Sequence, residues 1–194
     1  MLLRTRFYLP PLREQAVPRH LLIDRLKHTT GGNLVVLSAP AGYGKTTLAS
    51  QWLHQCPHTF AWLTLGTEHN APLRFWEAII TALHQVQPDI TLKGLDTAQA
   101  QPDADLTPLV IGLLNELDQL SVDNRSREPM TMVWDDFHLI KDTRVLAQCN
   151  LLLDHLPPAL RVVITTRETP PLALARRRIT GQLLWLNIDD LRFN

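Results

Sequence analysis

Apolar residues fall along the chain in two kinds of run that alternate. Short unbroken blocks occur at Leu34 to Leu37, Phe60 to Leu65, Met130 to Asp136, where two carboxylates end the run, Leu160 to Arg167 and Leu183 to Leu186. Blocks of this length without polar alternation predict strands covered on both faces. Between them the apolar positions recur at helical spacing. Leu48, Ala49, Trp52, Leu53 and Cys56 do so before Pro57; Phe75, Trp76, Ile79, Ile80 and Leu83 follow the second strand. Leu109, Val110, Leu113, Leu114 and Leu117 come after a Thr107-Pro108 cap, and a further helix spans about Thr143 to Leu153, capped by Asp142 and stopped before Pro157-Pro158. Strands alternating with helices predict an α/β fold: a parallel sheet of about five strands with helices on both faces.

The breaks are as informative as the runs. Residues 1–16 carry prolines and mixed charge and predict an extended arm. Val17-Pro18-Arg19 then starts a helix whose apolar face, Leu21, Leu22 and Leu26, ends near Gly31-Gly32. Residues 87–105 are polar, with Pro88, Gly94 and Pro102, and read as a long surface connection; a second break runs from Ser121 to Pro129.

Composition narrows the class. A chain of 194 residues is one domain, with 45% apolar and 20% charged residues, the balance of a globular protein with a core of its own. Lys plus Arg and Asp plus Glu are both 19, which argues against a domain that holds nucleic acid by bulk charge, and the Arg176-Arg177-Arg178 cluster reads as a solvated helix face. No run approaches the roughly 20 apolar residues that span a bilayer. The start, with Pro10 and Pro11, lacks a signal-peptide core, and Cys56 and Cys149 read as buried small hydrophobes. A cytoplasmic location is expected. His54 and His58 have a metal-like spacing, but Pro57 interrupts the helix between them.

The chemistry concentrates after the first strand, in Ala39-Pro40-Ala41-Gly42-Tyr43-Gly44-Lys45-Thr46-Thr47. A strand, a glycine-containing turn and a helix opened by Lys-Thr form a phosphate-binding loop: side-chain-poor residues let backbone N–H groups converge on phosphate oxygens at a helix N-terminus. Lys45 is expected to bridge the β- and γ-phosphates and the Thr46 hydroxyl to meet Mg²⁺. Ala39 replaces the first glycine of the usual G-x-x-x-x-G-K-[ST], at a position that closes the turn without an obligatory phosphate contact. A dinucleotide fingerprint fails, because its third glycine would fall on Thr47.

The third strand delivers Asp135 to its C-terminal end, where a P-loop protein needs a carboxylate for Mg²⁺, and Asp136 follows where a second can orient the attacking water. A solvated Asp-Asp turn after a core strand is the competing reading. Arg167 lies at the end of the fourth strand, either as a γ-phosphate sensor or as an ordinary surface arginine.

Several stretches together carry a resemblance: residues 39–47, Arg74-Phe75-Trp76, the Val133 to His138 stretch, Thr165-Thr166-Arg167, Leu174-Ala175-Arg176, Gly181-Gln182-Leu183 and Leu191-Arg192-Phe193. From about Val17 to Phe193 the chain resembles the nucleotide-binding domain of large ATP-binding LuxR-type, MalT-like transcriptional regulators, a group of STAND-class P-loop ATPases. The resemblance implies a three-layer P-loop fold over residues 17–194 and an ATP/ADP switch, closed with ADP and self-associating with ATP. It implies Lys45 and Thr46 on phosphate and Mg²⁺, Asp135 and Asp136 as the Walker B pair, Arg167 as sensor, and Val17 and Arg19 near the adenine. Gly66, His69 and Ala71 stand where the family commonly has acids. The end at Asn194 predicts a module truncated before the helical, winged-helix, repeat and helix-turn-helix domains, with no direct DNA binding and weakened nucleotide affinity.

The expected function is therefore Mg-ATP/ADP binding by a regulator's switch module, with slow hydrolysis at most. Its partners would be nucleotide and either a second copy or a full-length regulator. A free-standing P-loop ATPase or phosphotransferase, and a nucleotide-free interaction module, are the alternatives.

Overall fold

The structure is a computed structural model that describes residues 3–12, 17–27, 32–56, 58–100, 104–123 and 129–192. In chain order, a 3₁₀ turn at Arg4–Phe7 precedes α1 (His20–Lys27), β1 (Leu34–Ser38), α2 (Lys45–His54) and β2 (Phe60–Thr64). Then come α3 (Pro72–Val86), α4 (Lys93–Ala100), α5 (Thr107–Asp123), β3 (Met130–Asp135), α6 (Thr143–Asp154), β4 (Leu160–Thr166), α7 (Ala175–Ile179), β5 (Leu183–Leu186) and α8 (Ile188–Leu191). The strands form one sheet in the order β2-β3-β4-β1-β5, and every pairing is parallel. All five C-terminal ends therefore lie along one edge, where ligands bind in open α/β sheets.

The alternation of side chains within each strand divides the core in two. Leu34, Val36, Met132, Trp134, Val162 and Ile164 face the layer built by α3, α4, α5 and α6. Val35, Leu37, Val133 and Val163 face α1 and α2. This is the three-layer α/β/α P-loop architecture. The aromatics of α3 belong to the core, as their spacing implies: Phe75 meets Trp76 and Trp134 edge-on at 5.3 and 5.8 Å, and Trp134 stacks on Phe137 at 5.7 Å. The Trp76 indole N–H donates to Gln148 Oε1 at 2.6 Å.

The structure corrects the sequence reading at several places. Residues 87–105 are not a bare connection, because 93–100 form α4. Only Leu95 and Ala98, one turn apart, are buried, and Gly94 lies so close to the Leu109 side chain that a Cβ there would meet it at 2.6 Å. Helix α5 continues through Ser121, whose hydroxyl donates to Leu117 O and accepts from Ala159 N–H. Helix α1 begins at His20 rather than at Val17, and Cys56 is half-buried whereas Cys149 is fully buried. His54 and His58 serve different elements: His54 Nδ1 lies 2.8 Å from Ser50 O, and His58 Nε2 3.1 Å from Thr131 Oγ1. Residues 13–16, Gly31, Phe193 and Asn194 lie outside the described residues.

The described part of the N-terminal arm, residues 3–12, is not wholly extended, since Arg4–Phe7 form a 3₁₀ turn, and it packs on the domain. Arg6 donates to Thr64 O at 3.1 Å and pairs with Glu68 at 2.6 Å, and the Pro10 carbonyl accepts from Ser50 Oγ at 2.7 Å. Beneath Arg6, His69 is buried and its Nδ1 accepts the Gly66 N–H at 2.9 Å. Burial holds this imidazole below its ordinary value, against the opposing pull of Glu68. The folded state thus disfavours the proton. Its contribution to stability is whole above the unfolded value near pH 6.5 and is lost as pH falls from there through the folded value. Thermal midpoints measured from about pH 7.5 to 5.5 should decline in the wild type and decline less in His69→Gln, whose amide oxygen can still accept the Gly66 N–H. Identical slopes would remove His69 as a cause.

Candidate functional site

β1 ends at Ser38 and hands the chain to a turn that the neighbouring strand anchors: Ala39 N–H donates to Thr166 O at 3.2 Å. Ala39 is 3% exposed and packs into the α1/α2 face of the core, so a small residue suits a position that seals the loop from below. Gly42 (φ 87°) and Gly44 (φ 74°) take left-handed conformations that L side chains rarely adopt. They fold residues 40–44 back over the start of α2. Tyr43, between them, packs against the same core face, while Pro40, Ala41 and Gly42 are exposed. Leu48 N–H donates to Gly44 O at 2.7 Å and opens α2, leaving the preceding N–H groups facing the loop.

The side chains converge here. Lys45 is 7% exposed and its ammonium donates to Pro40 O at 2.9 Å, within the ring of the loop. Burial lowers its pKa, with Asp136 and Asp135 opposing and Arg167 adding to the shift. Thr46 Oγ1 donates to Asp135 Oδ1 at 2.9 Å, joining the first turn of α2 to the end of β3. Asp135 is 3% exposed; burial raises its pKa, and hydroxyl bonds from Thr165 and Thr46 oppose the rise. Asp136 is the one non-glycine residue with positive φ (60°) among the described residues. This turns its carboxylate out of the strand towards His138, with Nδ1 3.7 Å from Asp136 Oδ1. Burial lowers the pKa of that imidazole, with Asp136 opposing. Arg167 stands exposed just past β4.

Five of the residues singled out from the sequence, Lys45, Thr46, Asp135, Asp136 and Arg167, thus meet at the C-terminal ends of β1, β3 and β4. Thr47 is exposed on the first turn of α2. Val17 and Arg19 are placed differently. The Arg19 guanidinium donates to Leu191 O at 2.8 Å and to Arg192 O at 3.4 Å, so it ties the segment before α1 to the end of α8. Val17 is exposed, and its carbonyl accepts from Gln51 Nε2 at 3.1 Å. Sequence reasoning missed Thr165, whose Oγ1 donates to Asp135 Oδ1 at 2.6 Å. Its signals were a hydroxyl residue at a polar strand exit and its place in the Thr165-Thr166-Arg167 stretch, neither of which gave it a role.

A hydroxyl and a carboxylate already within hydrogen-bond distance form a hard-oxygen pair that suits Mg²⁺, which takes one or two protein ligands and fills its shell from phosphate and water. Among the described residues no group of three or more His, Cys, Asp or Glu side chains comes together to hold a metal alone. No described helix is long and apolar enough to cross a membrane.

No protein-family model matches the chain. Among curated proteins it is similar to the HTH-type transcriptional regulator MalT of Serratia proteamaculans, 31% identical over 193 residues, covering 100% of this chain and 21% of the relative. It is likewise similar to MalT of Vibrio cholerae, 29% identical over 185 residues, covering 95% and 20%. The chain spans about a fifth of the length of these relatives. Among solved structures it is similar to a STAND protein with a tetratricopeptide repeat sensor from Pyrococcus horikoshii (TM-score 0.61, 17% identity, 93% of this chain and 24% of that one). It is also similar to a Walker-type ATPase of Pyrococcus abyssi (TM-score 0.52, 16% identity, 82% and 48%). Over its whole length the chain is thus similar to about a fifth of the length of the MalT transcriptional regulators, and it carries the P-loop ATPase fold.

Proposed function

We propose that the chain binds ATP and ADP with Mg²⁺ and acts as the switch module of a LuxR/MalT-like regulator, hydrolysing ATP slowly at most. The observation that carries this reading is the bond from Thr46 to Asp135 beside a lysine held inside the loop, because it sets a metal-side oxygen pair next to a phosphate-side cation.

In this reading the backbone of residues 40–46 cradles the phosphates and Lys45 exchanges the Pro40 carbonyl for phosphate oxygens. Thr46 and Asp135 hold Mg²⁺, which when bound neutralises phosphate charge. Asp136, turned out of the strand, orients a water, and Arg167 reads the terminal phosphate from the end of β4. Thr47 supports the loop from the first turn of α2. The adenine approaches from the side of Val17 and Arg19, with Arg19 contributing through the α8 contact that it makes. Such a switch works in the cytoplasm, where ATP is available, and is read out by pairing with a second copy or with a full-length regulator.

Thermal unfolding with and without nucleotide tests the reading. One millimolar Mg-ADP is expected to raise the midpoint of the wild type, and Asp135→Asn to remove most of the part of that rise that depends on Mg²⁺. A midpoint indifferent to nucleotide would count against it. Rapid multiple turnover with a small-molecule phosphate acceptor would instead favour a phosphotransferase.

A further inference from the structure

Thr165 occupies the centre of the site without belonging to any of the groups assigned above. It sits on β4, the strand between the one that feeds the loop and the one that delivers the carboxylates. It is fully buried, and its hydroxyl is used in both directions: it donates to Asp135 Oδ1 at 2.6 Å and accepts the Asp136 N–H at 3.1 Å. Thr46 reaches the same Oδ1 from the opposite element at 2.9 Å.

The consequences are geometric. One donor would leave a carboxylate free to swing about its terminal torsion, whereas donors from α2 and from β4 on the same oxygen fix its plane. The Asp136 N–H belongs to a residue in a left-handed conformation, and it is the Thr165 hydroxyl that accepts its proton. One side chain therefore sets both the pose of Asp135 and the turn that aims Asp136. The next residue, Thr166, uses its carbonyl to hold Ala39 at the root of the loop, so β4 braces both halves of the site.

We infer that Thr165 is the positioning residue of this site: its hydroxyl holds the metal-side carboxylate of Asp135 and the turn at Asp136 in register with Thr46. The inference rests on the proposed Mg-nucleotide reading. Among the described residues the Thr165 hydroxyl bonds to Asp135 and Asp136, and the Lys45 ammonium to Pro40 O, so loss of that hydroxyl acts on the Mg²⁺-dependent part of nucleotide binding and spares the metal-independent part. Thr165→Val keeps the shape and removes the hydroxyl; Thr165→Ser keeps the hydroxyl.

The test is calorimetric titration of ADP into wild type, T165V and T165S, each in excess Mg²⁺ and again in EDTA. T165V is expected to lose about tenfold in affinity with Mg²⁺ and to stay within about twofold of wild type in EDTA, with T165S restoring the Mg²⁺ response. If T165V does not fold, Thr165→Ala, which removes the hydroxyl without adding a methyl in its place, is read by the same pair of titrations. Equal losses in Mg²⁺ and EDTA would reduce Thr165 to a packing residue and overturn the inference. So would a wild-type Mg²⁺ response in T165V, or a T165S protein that behaves like T165V. Wild-type protein that binds no nucleotide in either buffer would overturn the functional reading itself, an outcome distinct from all of these.

Discussion

Lys45→Ala should lower the affinity for ATP and ADP by tenfold or more while leaving the thermal midpoint unchanged or slightly raised. The two halves of this expectation come from the same feature. Lys45 is 7% exposed, and its ammonium is compensated by one carbonyl, Pro40 O at 2.9 Å, and by the carboxylates of the β3 exit at longer range. A buried cation held so sparely costs the fold desolvation energy, which a phosphate would offset. Removing it takes away a charged hydrogen bond to phosphate, on the order of 1.5–3 kcal/mol, which is about tenfold to a hundredfold in affinity. Removing it also relieves the folded chain of that desolvation. Titration and melting of the same sample check both halves; a variant that loses affinity only because it has unfolded would show a depressed midpoint instead.

Trp134→Ala should destabilise the domain by about 3–5 kcal/mol, a fall in midpoint on the order of 10 °C for a chain of this size. Trp134 is fully buried between Phe75 of α3, edge-on at 5.8 Å, and Phe137, stacked at 5.7 Å. No neighbouring element can close the space that an indole leaves between two rings and a sheet. Trp134→Phe should cost much less: the ring contacts persist in part, and the indole N–H that it gives up is buried without a hydrogen-bond partner among the described residues. Because Trp134 precedes Asp135 directly and Phe137 follows Asp136, the alanine variant should also loosen the carboxylates and weaken nucleotide binding even where it remains folded. Denaturant unfolding of the two variants measures the difference; equal losses would mean that the rings do not set the stability of this strand exit.

The strands were legible because a parallel strand covered on both faces writes itself as an unbroken apolar block, and Leu183–Leu186 was found to the residue. The loop was legible because strand, glycine turn and Lys-Thr must follow one another in the chain. Helix α4 was not, since it turns only Leu95 and Ala98 inwards and carries a glycine in its first turn, a pattern shared with polar connections. Thr165 escaped for a different reason. Its role depends on β4 lying between β1 and β3, and its partner Asp135 is 30 positions away in a chain whose strand order no local pattern records. Arg19, which the resemblance put near the adenine together with Val17, makes a contact that no local pattern records either: its partner Leu191 is 172 positions distant.

The most direct measurement of the central claim is calorimetric titration of ADP and ATP, with Mg²⁺, into the wild-type chain. Saturable one-site binding that weakens when Mg²⁺ is chelated and again when Lys45 is replaced is the predicted result. Absence of saturable binding, or binding that neither chelation nor Lys45→Ala alters, would contradict it.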